Sequence, residues 1–222
     1  MKLNKVYESP AEMPAEIPLF PLEGALLLPR RPIQLTVFEP RYLDMLDEAL
    51  GGERLIAMIQ PKEPETQSRP LALYPVGCAG RIVQFAEIGD GRCFVTLMGI
   101  ARFRLRDQPA EDDKPYRVGI ADYTPFAEDF REGADQEAVD RDGLLATLRK
   151  YAEVHDIKVA WNDVKNSSNE ALVNGLSMMS PCGPREKQAL LEAPDLKSRA
   201  DMLVAITTID LARGTASTSH LH

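Results

Sequence analysis

The sequence has few of the residues that build disulfide-linked, metal-binding or membrane-spanning proteins. It contains three cysteines and three histidines in 222 residues. An odd number of widely spaced cysteines does not describe a disulfide framework, and no Cys and His cluster has the spacing of zinc ligands. No stretch approaches the roughly 20 consecutive apolar residues of a membrane-spanning helix, and the amino terminus lacks a signal peptide. We therefore expect a soluble, cytoplasmic chain with no membrane partner, no metal and no other cofactor.

Positive charge is also in short supply. Lys and Arg number 26 against 34 Asp and Glu, giving a formal net charge of −8 and a pI of about 5.0. Proteins that bind nucleic acids usually carry a basic surplus, so this balance argues against RNA or DNA as a partner. Arg102, Arg104 and Arg106 alternate with apolar residues, so a strand would place all three on one face. We interpret that face as the solvent-exposed side of an amphipathic strand, and an RNA-binding face is the alternative.

Side chains for nucleophilic catalysis are sparse as well. His155 is the one histidine outside the carboxy-terminal tail, so a His-based triad would have to be built around it. A surface residue near a helix end explains it more simply, because a helix C-terminus favours a cation. Cys182 follows a Ser-Pro turn and is interpreted as structural. No catalytic residue is assigned, and a cryptic hydrolase that uses His155 or Cys182 is a further alternative.

Hydrophobic patterning predicts an α+β chain made of two parts. The first part is rich in strand patterns and turn residues, whereas the second has apolar residues at helical spacing. These patterns indicate a closed or nearly closed β-domain with one short helix, followed by a carboxy-terminal bundle of about four helices. The predicted boundaries are a flexible arm over 1–16, the β-domain over 17–124, a linker over 125–134, the helical bundle over 135–214 and a disordered tail over 215–222.

Two local signals are the most informative in the β-domain. Ile33, Leu35 and Val37 alternate with polar residues, which predicts a half-buried strand. The sequence Gly89-Asp90-Gly91 separates two long strand-like runs. It predicts a β-hairpin, because glycine supplies the positive φ that such a turn needs.

The helical part carries capping signals. Ser167 and Glu170 have the spacing of a capping box, in which each side chain satisfies a backbone donor of the other. Pro184 is predicted to begin a short helix, because proline is tolerated in the first helical turn. Asp195 is predicted to cap the last helix, and Gly214 is predicted to end it.

Five segments, taken in order, carry a resemblance to one protein family. They are 17–22 (IPLFPL) with Leu28-Pro29, 32–42 (PIQLTVFEPRY), 76–82 (VGCAGRI), 99–105 (GIARFRL) and 185–195 (REKQALLEAPD). Together they resemble the amino-terminal, substrate-binding domain of Lon proteases, over residues 17–212. The resemblance implies a PUA-like β-barrel or pseudo-barrel with one short helix, followed by a helical bundle. That fold agrees with the one expected from the patterning.

The sequence also departs from a full Lon protease. Such a protease continues into an ATPase with a Gly-x-x-x-x-Gly-Lys-Ser/Thr phosphate loop, and then into a Ser–Lys peptidase. No Gly-Lys pair occurs here, and the sequence ends at His222, before either module could begin. The resemblance therefore implies a stand-alone, ATP-independent, non-catalytic module related to proteolysis. Its implied partners are unfolded or degron-bearing protein or peptide segments, with a separate protease or chaperone as a further partner.

The triplet Leu26-Leu27-Leu28 is the feature most suggestive of a binding surface. Three consecutive leucines cannot all face one core in an extended segment, so at least one must turn outward or be covered by another element. Phe38 and Tyr42 are expected to join the same apolar patch. Because exposed apolar patches often mark interaction sites, we assign these five residues as the candidate peptide-binding set.

Overall fold

The structure, a computed structural model, describes residues 5–63, 71–109 and 114–218. It contains two compact units, Met1–Glu132 and Gly133–His222. The first unit is built from strands with one α-helix, and the second is helical. This arrangement confirms the predicted α+β fold, with the β-domain preceding the helices.

The described part of the first unit contains one sheet of six strands. They are β1 (Glu16–Pro21), β2 (Pro32–Val37), β3 (Leu55–Pro61), β4 (Leu73–Gly89), β5 (Arg92–Asp107) and β6 (Arg117–Asp122), with helix α1 (Pro40–Gly51) between β2 and β3 in the chain. The strand order is β2-β5-β4-β3-β1-β6, and only the β1–β3 pair is parallel. The end of β5 also pairs with β6. The sheet therefore curls back on itself, although it is not a closed barrel, since β2 remains an outer strand.

The predicted hairpin and the predicted half-buried strand are both present. The turn between β4 and β5 is Gly89-Asp90-Gly91, with φ values of 84°, 53° and 66°. All three residues thus have the left-handed backbone that favours glycine at such a turn. Strand β2 alternates between exposed and more buried residues along its length, with Val37 fully buried at its end. The β-domain core includes the buried side chains Ile17 and Phe103.

The structure differs from the sequence prediction in the segments that precede and follow the six strands in the chain. The predicted flexible arm over 1–16 contains a 3-10 turn, Pro10–Glu12, and Tyr7 and Met13 are buried in the core of the β-domain. These apolar side chains hold residues 5–16 on the domain, and residues 1–4 lie outside the described residues. The predicted linker over 125–134 overlaps a 3-10 segment, Thr124–Phe130, in which Phe126 and Asp129 are buried.

The second unit contains more helices than predicted. Its α-helices in the described residues are α2 (Arg141–Val154), α3 (Trp161–Asn166), α4 (Asn169–Met179), α5 (Pro184–Glu192) and α6 (Leu196–Thr218). Helix α3 lacks an apolar stripe long enough to reveal it in the sequence. Helix α5 begins at Pro184, as predicted, and Asp195 caps α6 through the Ser198 amide at 2.7 Å.

Two predicted helix signals are wrong. Ser168, rather than Ser167, accepts from the Ala171 amide at 3.1 Å, while the Glu170 carboxylate accepts from the Gly133 amide at 2.9 Å. The predicted capping box therefore does not form, because Glu170 has a partner distant in sequence. Helix α6 continues past Gly214 to Thr218, into the predicted tail over 215–222, and residues 219–222 lie outside the described part of the chain.

Candidate functional site

The triplet Leu26-Leu27-Leu28 lies in the interior, with none of its side chains more than 2% exposed. Two glycines on the neighbouring strands make room for it. A Cβ atom on Gly80 would lie 2.8 Å from Leu27 Cδ2, and one on Gly99 would collide with the backbone carbonyl of Leu28. The triplet is thus covered by β4 and β5, and it offers no exposed surface, contrary to the predicted patch.

The two aromatic candidates have opposite environments. Tyr42 is buried in α1, where its ring meets the edge of Phe20 at a centroid distance of 4.7 Å and the Arg41 guanidinium lies 4.6 Å from its centroid. Tyr42 therefore anchors α1 to the sheet. Phe38, in the short connection between β2 and α1, is 64% exposed. It is the one member of the predicted set that presents a large apolar side chain to solvent.

Further exposed apolar side chains lie at the outer end of β4, where no site residue was predicted. Val83, Phe85 and Ile88 are each about half exposed. The sequence signal was available, because apolar residues occur on both faces of this run instead of on one. Phe38 follows Val37, which pairs with Cys93 close to the β4–β5 turn, so Phe38 lies at the same end of the β-domain as these residues. We call Phe38, Val83, Phe85 and Ile88 the distal surface.

Strand register shows how the distal surface is supported. Phe85 lies opposite Val95 on β5, which in turn lies opposite Leu35 on β2, so these three side chains share one face of the sheet. In the adjacent row on that face, Cys93 and Val37 are buried, and burial raises the pKa of the Cys93 thiol. The half-exposed ring of Phe85 therefore lies beside the buried Val95 in a segment of three paired strands.

The three arginines of β5 do not form one solvent-facing stripe. The Arg102 side chain is 4% exposed, and its guanidinium forms an ion pair with the Asp129 carboxylate at 2.8 Å. Asp129 also accepts from the Arg102 amide at 2.8 Å, and the Phe126 ring covers the guanidinium at 4.5 Å. The sequence could not reveal this burial, because the covering segment lies 27 residues away.

The remaining two arginines are exposed. Arg106 forms an ion pair with Asp122, and its guanidinium lowers the pKa of that carboxyl. The burial of Arg102 leaves Arg104 and Arg106 as the part of the predicted stripe that faces solvent.

His155 lies on the surface directly after α2, as predicted. Its Nε2 is 3.7 Å from Asp210 Oδ2, and its ring centroid is 4.2 Å from that of Tyr151. Burial, and then the nearby Asp210 and Cys182, raise the pKa of Tyr151. In the described part of the chain, no hydroxyl or thiol is hydrogen-bonded to His155, so the nucleophile–base contact of a hydrolase is not assembled there.

Neither a metal cluster nor a membrane span is found in the parts of the chain that the structure describes. Across 5–63, 71–109 and 114–218, no group of three or more His, Cys, Asp or Glu side chains is arranged to hold a metal ion. No helix in those ranges is long and apolar enough to cross a bilayer.

Sequence comparison relates the chain to Lon proteases. The family profile described as the ATP-dependent protease La (LON) substrate-binding domain matches residues 16–208. The Lon protease of Parabacteroides distasonis is 32% identical over 197 residues, which are 86% of this chain and 23% of that protein. The Lon protease of Desulfosudis oleivorans is 28% identical over 197 residues, again covering 85% of this chain and 23% of the relative. The chain thus spans less than a quarter of the length of these curated relatives.

Solved structures show the same fold. A Lon N-terminal domain protein from Xanthomonas campestris superposes with a TM-score of 0.61 at 25% identity, covering 86% of this chain and 97% of the other. The N-terminal domain of the Mycobacterium avium complex Lon protease gives a TM-score of 0.61 at 20% identity, covering 87% and 98%. Both are isolated amino-terminal domains, and the profile spans both units described above. The chain therefore belongs to the Lon substrate-binding domain family.

Proposed function

We propose that this chain is a non-catalytic protein-binding module that engages unfolded or degron-bearing segments of other proteins. The observation that supports the proposal most directly is the distal surface, on which Phe38 and Phe85 are 64% and 48% exposed. Membership of a substrate-binding family supports the same class of partner. A separate protease or chaperone would act on the bound segments, and the chain itself would neither hydrolyse ATP nor cut a peptide bond.

Exposed aromatic side chains suit this role because an unfolded segment offers apolar side chains with no fixed order. Burying a Phe side chain contributes about 1.5–3 kcal/mol, and the benefit depends on apolar area rather than on a particular sequence. Phe85 lies beside the buried Val95, and an aromatic side chain with two rotatable bonds loses little conformational entropy when it becomes ordered on binding. Broad recognition of unfolded segments follows from these two properties.

The test compares the native chain with a Phe38→Ser, Phe85→Ser double variant. The readout is the affinity for a fluorescently labelled, permanently unfolded client protein, together with suppression of that client's aggregation. Loss of two apolar contacts should weaken binding by at least tenfold, since each contact contributes about 1.5 kcal/mol or more.

Met179→Ser provides the matched control. Met179 is 80% exposed and belongs to the helical unit, so its loss removes a comparable apolar side chain from outside the distal surface. The control should bind the client as the native chain does. If the native chain fails to bind any unfolded client, or if the control loses as much affinity as the double variant, the proposal is refuted.

RNA binding has no comparable support. Its motivating feature was the arginine stripe, and Arg102 is committed to Asp129 in the interior. The hydrolase alternative is in a similar position, because His155 is paired with a carboxylate rather than with a nucleophile.

A further inference from the structure

We propose that the outer edge of β2 binds an extended segment of the client protein as an additional β-strand. This inference rests on the proposed function and specifies how the segment is held. The distal surface would contact side chains, whereas the edge of β2 would contact the backbone of the client.

Register determines which backbone groups of β2 point outward. The Gly99 amide donates to the Arg31 carbonyl at 3.0 Å, which places the backbone of Arg31 toward β5. In an antiparallel pair, every second residue faces the partner strand. Ile33, Leu35 and Val37 therefore direct their N–H and C=O groups to β5, and Gln34 and Thr36 direct theirs away from the sheet.

Those outward groups have no partner within the described residues. Strand β2 stands at the end of the strand order and pairs with β5 alone, and both Gln34 and Thr36 are exposed. No hydrogen bond from the described part of the chain reaches the outward N–H or C=O groups of these two residues. Two donors and two acceptors thus lie along one accessible line, spaced as an added strand requires.

The edge also lacks the features with which proteins usually block strand addition. Blocking is commonly achieved with charged side chains, internal prolines or β-bulges on the edge strand. Strand β2 has no charged residue between Pro32 and Val37, and its register with β5 is uninterrupted over six residue pairs. Pro32 is the first residue of the strand, where its missing N–H leaves the groups of Gln34 and Thr36 intact.

The occupant that fits this edge is an extended client segment with alternating apolar and basic residues. The apolar residues would continue the row of Phe85, Val95 and Leu35 on one face, and the other residues would lie beside Gln34 and Thr36. A basic segment is favoured because the chain carries a net charge of −8. The same charge opposes a second copy of this chain at the edge, since both copies would be acidic.

Proline substitution tests the edge without altering the β2–β5 ladder. Gln34→Pro and Thr36→Pro each remove an outward N–H and put a ring where the added strand would lie, while the donors that face β5 remain. The probe is a fluorescent peptide of about ten residues that alternates valine and lysine, roughly the length that spans a strand. Each variant should bind it about tenfold or more weakly, from the lost hydrogen bond and the blocked approach.

Gln34→Ala and Thr36→Ala are the matched controls, because they remove the same side chains and keep the N–H groups. They should bind the probe as the native chain does. Circular dichroism and denaturant midpoints would show that the proline variants keep the native fold.

A second measurement leaves the protein unchanged. The same peptide is N-methylated either on all its lysines or on all its valines, so that only one set of backbone donors is removed at a time. Strand addition requires that one of these two peptides loses binding and the other keeps it, because alternate residues face β2. Loss for the lysine-methylated peptide indicates an antiparallel strand, and loss for the valine-methylated peptide indicates a parallel one.

The outcomes separate this inference from the proposed function. If the native chain binds the unfolded client and the probe, but the proline variants and both methylated peptides bind as well as their controls, the edge does not recruit a strand. If sedimentation shows a dimer that the proline variants abolish, the edge is occupied by a second copy and the inference is overturned. If the native chain binds neither client nor probe, the proposed function fails, and the inference fails with it.

Discussion

Asp129 forms a buried ion pair that connects two elements of the β-domain. Its carboxylate accepts hydrogen bonds of 2.8 Å from the backbone amide, Nε and Nη2 of Arg102, and both side chains are less than 10% exposed. This pairing joins the middle of β5 to the 3-10 segment Thr124–Phe130. A buried ion pair is costly to break, because removing one partner leaves the other charge desolvated and uncompensated.

Asp129→Ala should therefore lower the free energy of unfolding by about 3–5 kcal/mol. The neighbouring Glu128→Ala is the control, since its ion pair with Arg131 is exposed and should contribute about 0–1 kcal/mol. Denaturant unfolding measures both. A combined Arg102→Met, Asp129→Leu variant should recover much of the loss, because apolar residues of similar volume remove the isolated charge. Equal destabilisation by Asp129→Ala and Glu128→Ala would contradict this account.

Single residues also show where sequence-based prediction fails. Arg102 and the triplet Leu26-Leu27-Leu28 were both expected to contact solvent or a partner, and both are buried. Their burial depends on Asp129 and on Gly80 and Gly99, which lie far from them in sequence. Periodicity within one strand carries no information about what covers it from a distance.

At the scale of elements, helix α6 depends on the cap at its first turn. Asp195 Oδ1 accepts from the Ser198 amide at 2.7 Å, and this hydrogen bond lowers the pKa of the Asp195 carboxyl below its ordinary value. The ionised carboxylate is therefore the form that stabilises the helix N-terminus, where it also meets the positive end of the helix dipole.

Asp195→Ala should lower the free energy of unfolding at pH 7 by about 1 kcal/mol. Because the folded-state pKa lies below the ordinary value of 3.8, the charge contributes stability above that pH and loses it as pH falls through the folded-state pKa. The difference between the native chain and the alanine variant should thus shrink below about pH 4, the ordinary range of an Asp carboxyl.

Asp195→Asn separates the charge from the hydrogen bond, since asparagine still accepts from the Ser198 amide. The asparagine cap should contribute the same free energy at every pH. The Asp195→Asn variant should therefore match the free energy of unfolding of the native chain only in acid, where the native cap has lost its charge. Urea denaturation at pH 7 and at about pH 3 measures all three chains, on either side of the ordinary Asp pKa. If the free energies of unfolding of the native chain and the Asp195→Ala variant differ by the same amount at both pH values, a charged cap is excluded.

Elements set by short-range chemistry were predictable, and those set by distant partners were not. The hairpin at Gly89-Asp90-Gly91, the start of α5 at Pro184 and the cap at Asp195 follow from turn and capping chemistry within a few residues. The capping box at Ser167 failed because Glu170 binds the Gly133 amide, 37 residues away. In the candidate site, Phe38 is exposed as the predicted apolar patch requires. The exposed residues of β4 were not predicted, although apolar residues on both faces of that run could have indicated them.

At the scale of the whole molecule, charge limits the choice of partner. The chain carries 34 acidic and 26 basic side chains, so its long-range field repels polyanions and attracts basic segments. At low ionic strength this field acts over about 30 Å, and at 1 M salt over about 3 Å. The free energy of apolar contacts at the distal surface, by contrast, changes little with salt over that range. The two contributions to client binding can therefore be measured separately.

Three probes of similar length make that separation: the valine–lysine peptide, a valine–glutamate peptide and a single-stranded RNA. At low salt the lysine peptide should bind more tightly than the glutamate peptide, because only the first is attracted by the acidic chain. Raising the salt from about 0.01 M to about 1 M should make the two peptide affinities similar. Screening removes the electrostatic difference and leaves the apolar contribution of valine, which both peptides share. The RNA should not bind at any salt concentration, since Arg102 is buried and the net charge is negative. Equal binding of both peptides at low salt would contradict the preference for basic segments that the net charge of −8 predicts.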